Sequence, residues 1–235
     1  MKQQTDGLSH SPDAVEDCVK PKKEREDPTK MEKLAETQNP IHDLIRRRWS
    51  PRAYSERPVE PDKLRSVLEA ARWAPSSRNE QPWAFLVATR EDPESYERLF
   101  GVLMEMNRAW AQKAPVLILT LAHTQLTKDG TPNRHGFYDA GQATSNLLIQ
   151  ATSLGLVTHQ MGGFDVEAAR QRFHVPAGWE PVSVMALGYP GEVESLPEPL
   201  REREMEKRRR KPLEEFVFSG TWGHPASILD HSGKK

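Results

Sequence analysis

The run Ala114-Pro115-Val116-Leu117-Ile118-Leu119-Thr120-Leu121-Ala122 constrains the fold more than any other segment of this chain. No charge interrupts it, and aliphatic residues follow one another without a polar face. A segment of that kind reads as a strand buried inside a domain, at Val116 to Leu121. It falls far short of the ~20 residues that cross a bilayer. Other elements are placed around it. A short helix runs through Ile41 to Ile45. Pro61 opens a second helix with the apolar stripe Leu64, Val67, Leu68 and Ala71, and Pro75 ends it. Trp83 to Thr89 reads as a strand and Ser95 to Met106 as a helix. Tyr138 to Leu154 is a helix that turns Ala140, Thr144, Leu147, Leu148, Ala151 and Leu154 inward, with Gly155 placed to stop it. Its Gly141, Ala143 and Ser145 leave little bulk, so another helix can come close. Asp165 suits the N-cap of a helix to about Phe173, and Val182 to Leu187 is a further strand. Strands and helices alternate loosely, without strict βαβ spacing. The expected class is α+β, helices around one sheet.

The 235 residues suffice for one ordinary domain, or at most two small ones. Residues 1–39 contain no aromatic side chain and many charges, and they read as a disordered tail. The domain is expected at 40–235. With 33 basic against 34 acidic side chains, the net charge of −1 gives no basis for blanket binding to nucleic acid. Cys18 is the only cysteine, which excludes an internal disulfide and a CxxC redox pair. No signal peptide opens the chain, and a soluble cytoplasmic protein is the expectation. The eight histidines lack any ligand spacing, so no metal site is expected. GxSxG and GxGxxG motifs are both missing, so neither an acyl-transfer elbow nor a Rossmann unit is expected.

Two segments carry chemistry. In Arg46-Arg47-Arg48-Trp49-Ser50-Pro51-Arg52, residues Arg48, Ser50 and Arg52 share parity, and an extended backbone points them one way. Guanidinium forks suit a phosphate or an electron-rich ring. The bland reading is a charged helix end facing water. A second basic run, Arg208-Arg209-Arg210, favours an anion site if the two converge. Pro75-Ser76-Ser77-Arg78-Asn79-Glu80-Gln81-Pro82-Trp83 offers hydroxyls and amides between a helix and a strand. Read alone, it is also an ordinary turn. Residues 123–137 are polar and turn-rich, a candidate mouth for a pocket.

From about Pro40 to Trp222 the chain resembles the nitroreductase family, dimeric flavoproteins that cycle FMN with NADH or NADPH. The Pro-Ser-Ser-x-Asn-x-Gln-Pro-Trp series is the most specific element of that resemblance. It implies a mixed, mainly antiparallel central sheet flanked by helices, in a homodimer. It implies hydride transfer from NAD(P)H to flavin N5 and on to a nitroaromatic, quinone or similar small acceptor in a ping-pong cycle. Reductive dehalogenation, flavin-dependent dehydrogenation and a non-catalytic flavin-binding role are the alternatives. Carried over residue by residue, Arg48, Ser50, Arg208 and Arg210 hold phosphate or ribityl oxygens, with Trp49 inside the motif. Arg52 reaches the pyrimidine edge of the ring. Pro75, Ser76, Ser77 and Asn79 enter the pocket from the partner subunit. Met161, Gly162 and Gly163 bring a backbone amide to N5, and Asn107 contacts the ring. Relatives often have Glu at the place of Gly162, and some have Lys at the place of Trp110. The resemblance implies no general acid or base and no nucleic-acid or membrane partner.

Overall fold

The computed structural model describes residues 32–229. Most of the expected tail, Cys18 included, lies outside that range. The described chain forms α1 (Asp43–Arg47), α2 (Pro61–Arg72), β1 (Trp83–Thr89), α3 (Pro93–Phe100), α4 (Glu105–Ala111), β2 (Val116–His123), α5 (Gly136–Ser153), β3 (Val157–Met161), α6 (Val166–Arg172), β4 (Trp179–Gly188) and α7 (Glu198–Met205).

The strands form one sheet in the order β1-β2-β4-β3, and all three pairings are antiparallel. The fold is α+β, as expected. β2 lies inside the sheet, and Leu117, Ile118 and Leu119 have no exposed surface. Its side chains alternate between two cores, because successive residues of a strand face opposite ways. Leu117, Leu119 and Leu121 pack with Tyr96, Leu99, Trp110 and Phe164 on the face of α3, α4 and α6. Val116 and Ile118 pack with Val67, Ala71, Leu147 and Ala151 on the face of α2 and α5. A strand covered on both faces needs no polar alternation, which is why its sequence is a continuous apolar run.

α5 is tied to α2 by Asn146 Nδ2 donating to the Ala70 carbonyl at 3.3 Å and Gln150 Nε2 to Ser66 Oγ at 3.0 Å. Its end is a left-handed cap. Gly155 has φ +72, its N–H donates to the Thr152 carbonyl, and the Leu156 N–H donates to that of Ala151.

Three elements differ from expectation. The helix expected from Ser95 to Met106 is two, α3 and α4. Between them Val102 and Leu103 are buried, and the Val102 carbonyl accepts the Asp165 N–H at 2.8 Å. β3 was not expected, because its polar Thr158, His159 and Gln160 mask an edge strand. The third is α7, Glu198–Met205, a segment to which the sequence assigned no element.

Candidate functional site

α1 delivers the first arginines. His42 Nδ1 accepts the Leu44 N–H at 3.2 Å, and Arg46 and Arg47 occupy the last turn, where the helix dipole favours cations. Arg48 leaves the helix extended, with Nη1 at 3.4 Å from Ser50 Oγ. Arg208 arrives from the other end of the domain, and its Nη1 donates to the Lys33 and Arg46 carbonyls at 2.8 and 2.9 Å. Arg210 Nη1 donates to the Arg209 carbonyl at 2.7 Å. Burial pulls the Arg48 and Arg208 guanidiniums below their ordinary range, and repulsion adds to it. Arg210 acts on Arg48, while Arg48 and Arg210 both act on Arg208. Among the described residues none of the three pairs with a carboxylate. Like charges gathered without a counter-charge fit a bound anion, a phosphate in particular.

Arg52 is placed in part by a residue that sequence reasoning missed. Glu204 is 1% exposed and the one buried residue of α7. Its Oε1 accepts the N–H groups of Arg52 and Ala53 at 2.7 and 3.2 Å. Its Oε2 lies 3.6 Å from Arg52 Nη1 and has no hydrogen-bond partner. Glu204 thereby clamps α7 onto the first arginine segment, four residues before Arg208. The signal is spacing: Leu196 is buried, Leu200 packs on the core, and Glu204 follows at the same interval of four. One face of the Trp49 indole is taken by Lys33, whose Nζ stands 5.0 Å from the ring centroid.

β3 connects this region to the next. His159 Nδ1 lies 3.0 Å from the Pro51 carbonyl, and its ring packs on Trp110 at 4.6 Å between centroids. Burial pushes His159 down to about 4. Trp110 also stacks on Tyr54 and is a core residue. Beyond buried Met161, Gly162 has open space where a Cβ would stand. At Gly163 a Cβ would come within 2.8 Å of Asn107 Nδ2, which donates to the Gly163 carbonyl at 2.9 Å. The fold thus sets Asn107 of α4 against the turn of Met161, Gly162 and Gly163, and His159 on β3 links that strand to Pro51.

Pro75, Ser76, Ser77 and Asn79 lie elsewhere. Arg78, Asn79 and Gln81 have φ of 55, 57 and 48. Three left-handed residues without a glycine store strain that neighbouring bonds must hold. Asp139 Oδ2 accepts the Ser77 N–H and Ser76 Oγ the Gln81 N–H, each at 3.0 Å. Asp139, also missed in the sequence, is buried in the first turn of α5, where the helix dipole favours it. The segment leads into β1, the sheet edge opposite β3. Three inter-strand steps, about 14 Å, separate those edges. Because β1 and β3 run in opposite directions, the start of one and the end of the other share one end of the sheet. No hydrogen bond or ion pair among the described residues joins the Pro75 segment to Arg48, Arg52, Arg208 or Arg210.

A family model described as "Nitroreductase family" matches residues 45–189. A Methanothermobacter thermautotrophicus protein, provisionally named NADH dehydrogenase/NAD(P)H nitroreductase, is 34% identical over 158 residues, covering 65% of this chain and 78% of that one. The Bacillus subtilis FMN reductase [NAD(P)H] is 27% identical over 159 residues, 60% of this chain and 62% of its own length. Among solved structures, an oxidoreductase containing FMN superposes with a TM-score of 0.76 at 33% identity, over 80% of this chain and 96% of the other.

Proposed function

Since the chain belongs to the nitroreductase family, we propose that it is an NAD(P)H-dependent flavin oxidoreductase that binds FMN and reduces a small acceptor. One observation carries the reading for this chain's own residues. Arg48, Arg208 and Arg210 come from opposite ends of the domain to one place, with no carboxylate paired to them among the described residues. FMN, when bound, would supply the redox chemistry: hydride exchange at N5 between NADH or NADPH and a nitroaromatic, quinone or similar acceptor.

The side chains divide the remaining work. Arg48, Ser50, Arg208 and Arg210 would hold the phosphate and ribityl chain, with Trp49 between the first two. Arg52 would present a cation to the ring, its backbone fixed by Glu204. Asn107 orients the Gly163 peptide, and Met161, Gly162 and Gly163 would let that backbone approach the ring without a side chain in the way. Pro75, Ser76, Ser77 and Asn79 would enter from a second copy, which the opposite sheet edges favour. The same copy would cover α5, where Phe137 and Tyr138 are 53% and 69% exposed and Gly141 and Ser145 continue the exposed stripe. No helix among the described residues is long and apolar enough to cross a membrane. We place the reaction in the cytoplasm, where both nicotinamide donors circulate.

An absorption spectrum tests the reading. The purified protein should be yellow, release FMN on denaturation, bleach with NADH or NADPH under anaerobic conditions, and recover colour with a nitroaromatic or quinone. A colourless protein that fails to take up added FMN would overturn the assignment. One that holds FMN but does not bleach with either donor would be a flavin-binding protein without this activity.

A further inference from the structure

The segment just upstream of the expected domain start is fastened across the arginine cluster. Lys33 Nζ donates to the Glu204 carbonyl and stands over the Trp49 ring. The Ala35 N–H donates to the Arg46 carbonyl at 2.9 Å. Glu32 pairs with Arg47 at 3.3 Å and Glu36 with Lys207 at 3.9 Å. The surface ion pairs contribute little, so the two hydrogen bonds and the ammonium over the indole are the main fastenings.

This strap acts on Arg208. A guanidinium has five N–H donors in a rigid fork. Both hydrogens of Arg208 Nη1 are directed at peptide carbonyls, one belonging to Lys33 and one to Arg46. Those two carbonyls fix the plane of the fork. They leave the Nε–Nη2 edge, which makes bidentate contacts to anions, without an acceptor among the described residues. Arg46 lies on α1 and is already set by the domain; Lys33 is set only by the strap. Without it, Arg208 keeps only the Arg46 carbonyl as a fixed point and is free to rotate about that one contact. The ammonium also adds a further cation to the field around Arg48, Arg208 and Arg210. Burial lowers Lys33 from its ordinary range, opposed chiefly by Glu204.

We propose that residues 32–36 form a working part of the cofactor site, and that Lys33 positions Arg208 to bind the phosphate of FMN. This rests on the FMN reading above. Lys33 is thus a positioning residue, and flavin affinity depends on a segment outside the family match, which begins at residue 45.

The test uses the full-length chain. Lys33→Met removes the ammonium, and Ala35→Pro removes the N–H that ties the strap to Arg46. The double variant should lose FMN affinity by about tenfold, the scale of one charge-assisted bond. Riboflavin, which has the ring and ribityl chain but no phosphate, should bind as it does to wild type. Lys33→Arg alone, which keeps a cation beside Trp49 and the residue 33 carbonyl, should keep most of the wild-type FMN affinity. Unchanged FMN affinity in a folded double variant would overturn the proposal. So would a parallel loss for FMN and riboflavin, which would make the strap a prop for the fold. A wild-type protein that binds no FMN would overturn the functional reading instead, so the two failures are distinguishable.

Discussion

His159 shows how a single residue ties the site to the stability of the chain. Its ring is enclosed between Trp110 and the Pro51 carbonyl, and burial holds it at about 4 against an ordinary 6.5. Between those values the unfolded chain binds a proton that the folded chain does not. Stability is therefore full above 6.5 and falls as pH drops toward 4, by at most about 3 kcal/mol. Urea unfolding at a series of pH values should show this slope, and His159→Phe should flatten it. Equal slopes in both proteins would mean that the buried ring is not held neutral. Glu60 titrates in a separate, lower window. The hydrogen bond from Tyr189 holds its carboxylate at about 2, so its contribution is present above 4.5 and lost on the way down to about 2. At this scale the residues of the site were legible by type, and their companions were not. Arg48, Ser50 and Asn107 stand in recognisable motifs. Glu204 and Asp139 stand in runs where a carboxylate is ordinarily solvated, and only the folded chain shows them buried against backbone N–H groups.

Among the elements, those with a strong period were readable in advance. α2 starts at Pro61, and β1 spans Trp83–Thr89 as its composition requires. β3 was hidden because an edge strand of five residues carrying Thr158, His159 and Gln160 has neither alternation nor an apolar run. The break between α3 and α4 was hidden because Val102 and Leu103 continue the apolar pattern of a helix while packing as a loop. The end of α5 was legible from Gly155. Its φ of +72 is costly for any residue with a Cβ, yet an added Cβ would meet nothing within 4 Å. Gly155→Ala should therefore cost about 1 kcal/mol through the backbone alone, with no change in flavin content. Chemical denaturation measures the first and the visible spectrum the second. A loss of several kcal/mol would mean that the cap is packed more tightly than its open surroundings show.

At the scale of the molecule, the proposed second copy makes a demand on α5. A Cβ at Gly141 would meet no atom of its own chain within 4 Å, so the isolated subunit tolerates a large side chain there. A dimer packed on that face does not. Gly141→Arg should convert a dimer into a monomer in sedimentation velocity and lower the FMN content, because the Pro75 segment is then lost to the partner's site. The wild-type interface should exceed the ~2,000 Å² of obligate pairs. A variant that stays dimeric with full FMN would place the two-fold axis elsewhere. The arginine cluster has a consequence of another kind. Its members are drawn from both ends of the described chain, Arg208 touching the carbonyls of Lys33 and Arg46. Translation runs from the amino terminus, so Arg208 and Arg210 are among the last residues of the domain to leave the ribosome. Until then a nascent chain has half of the proposed phosphate cradle, so capture of the cofactor waits for the carboxy-terminal part of this domain.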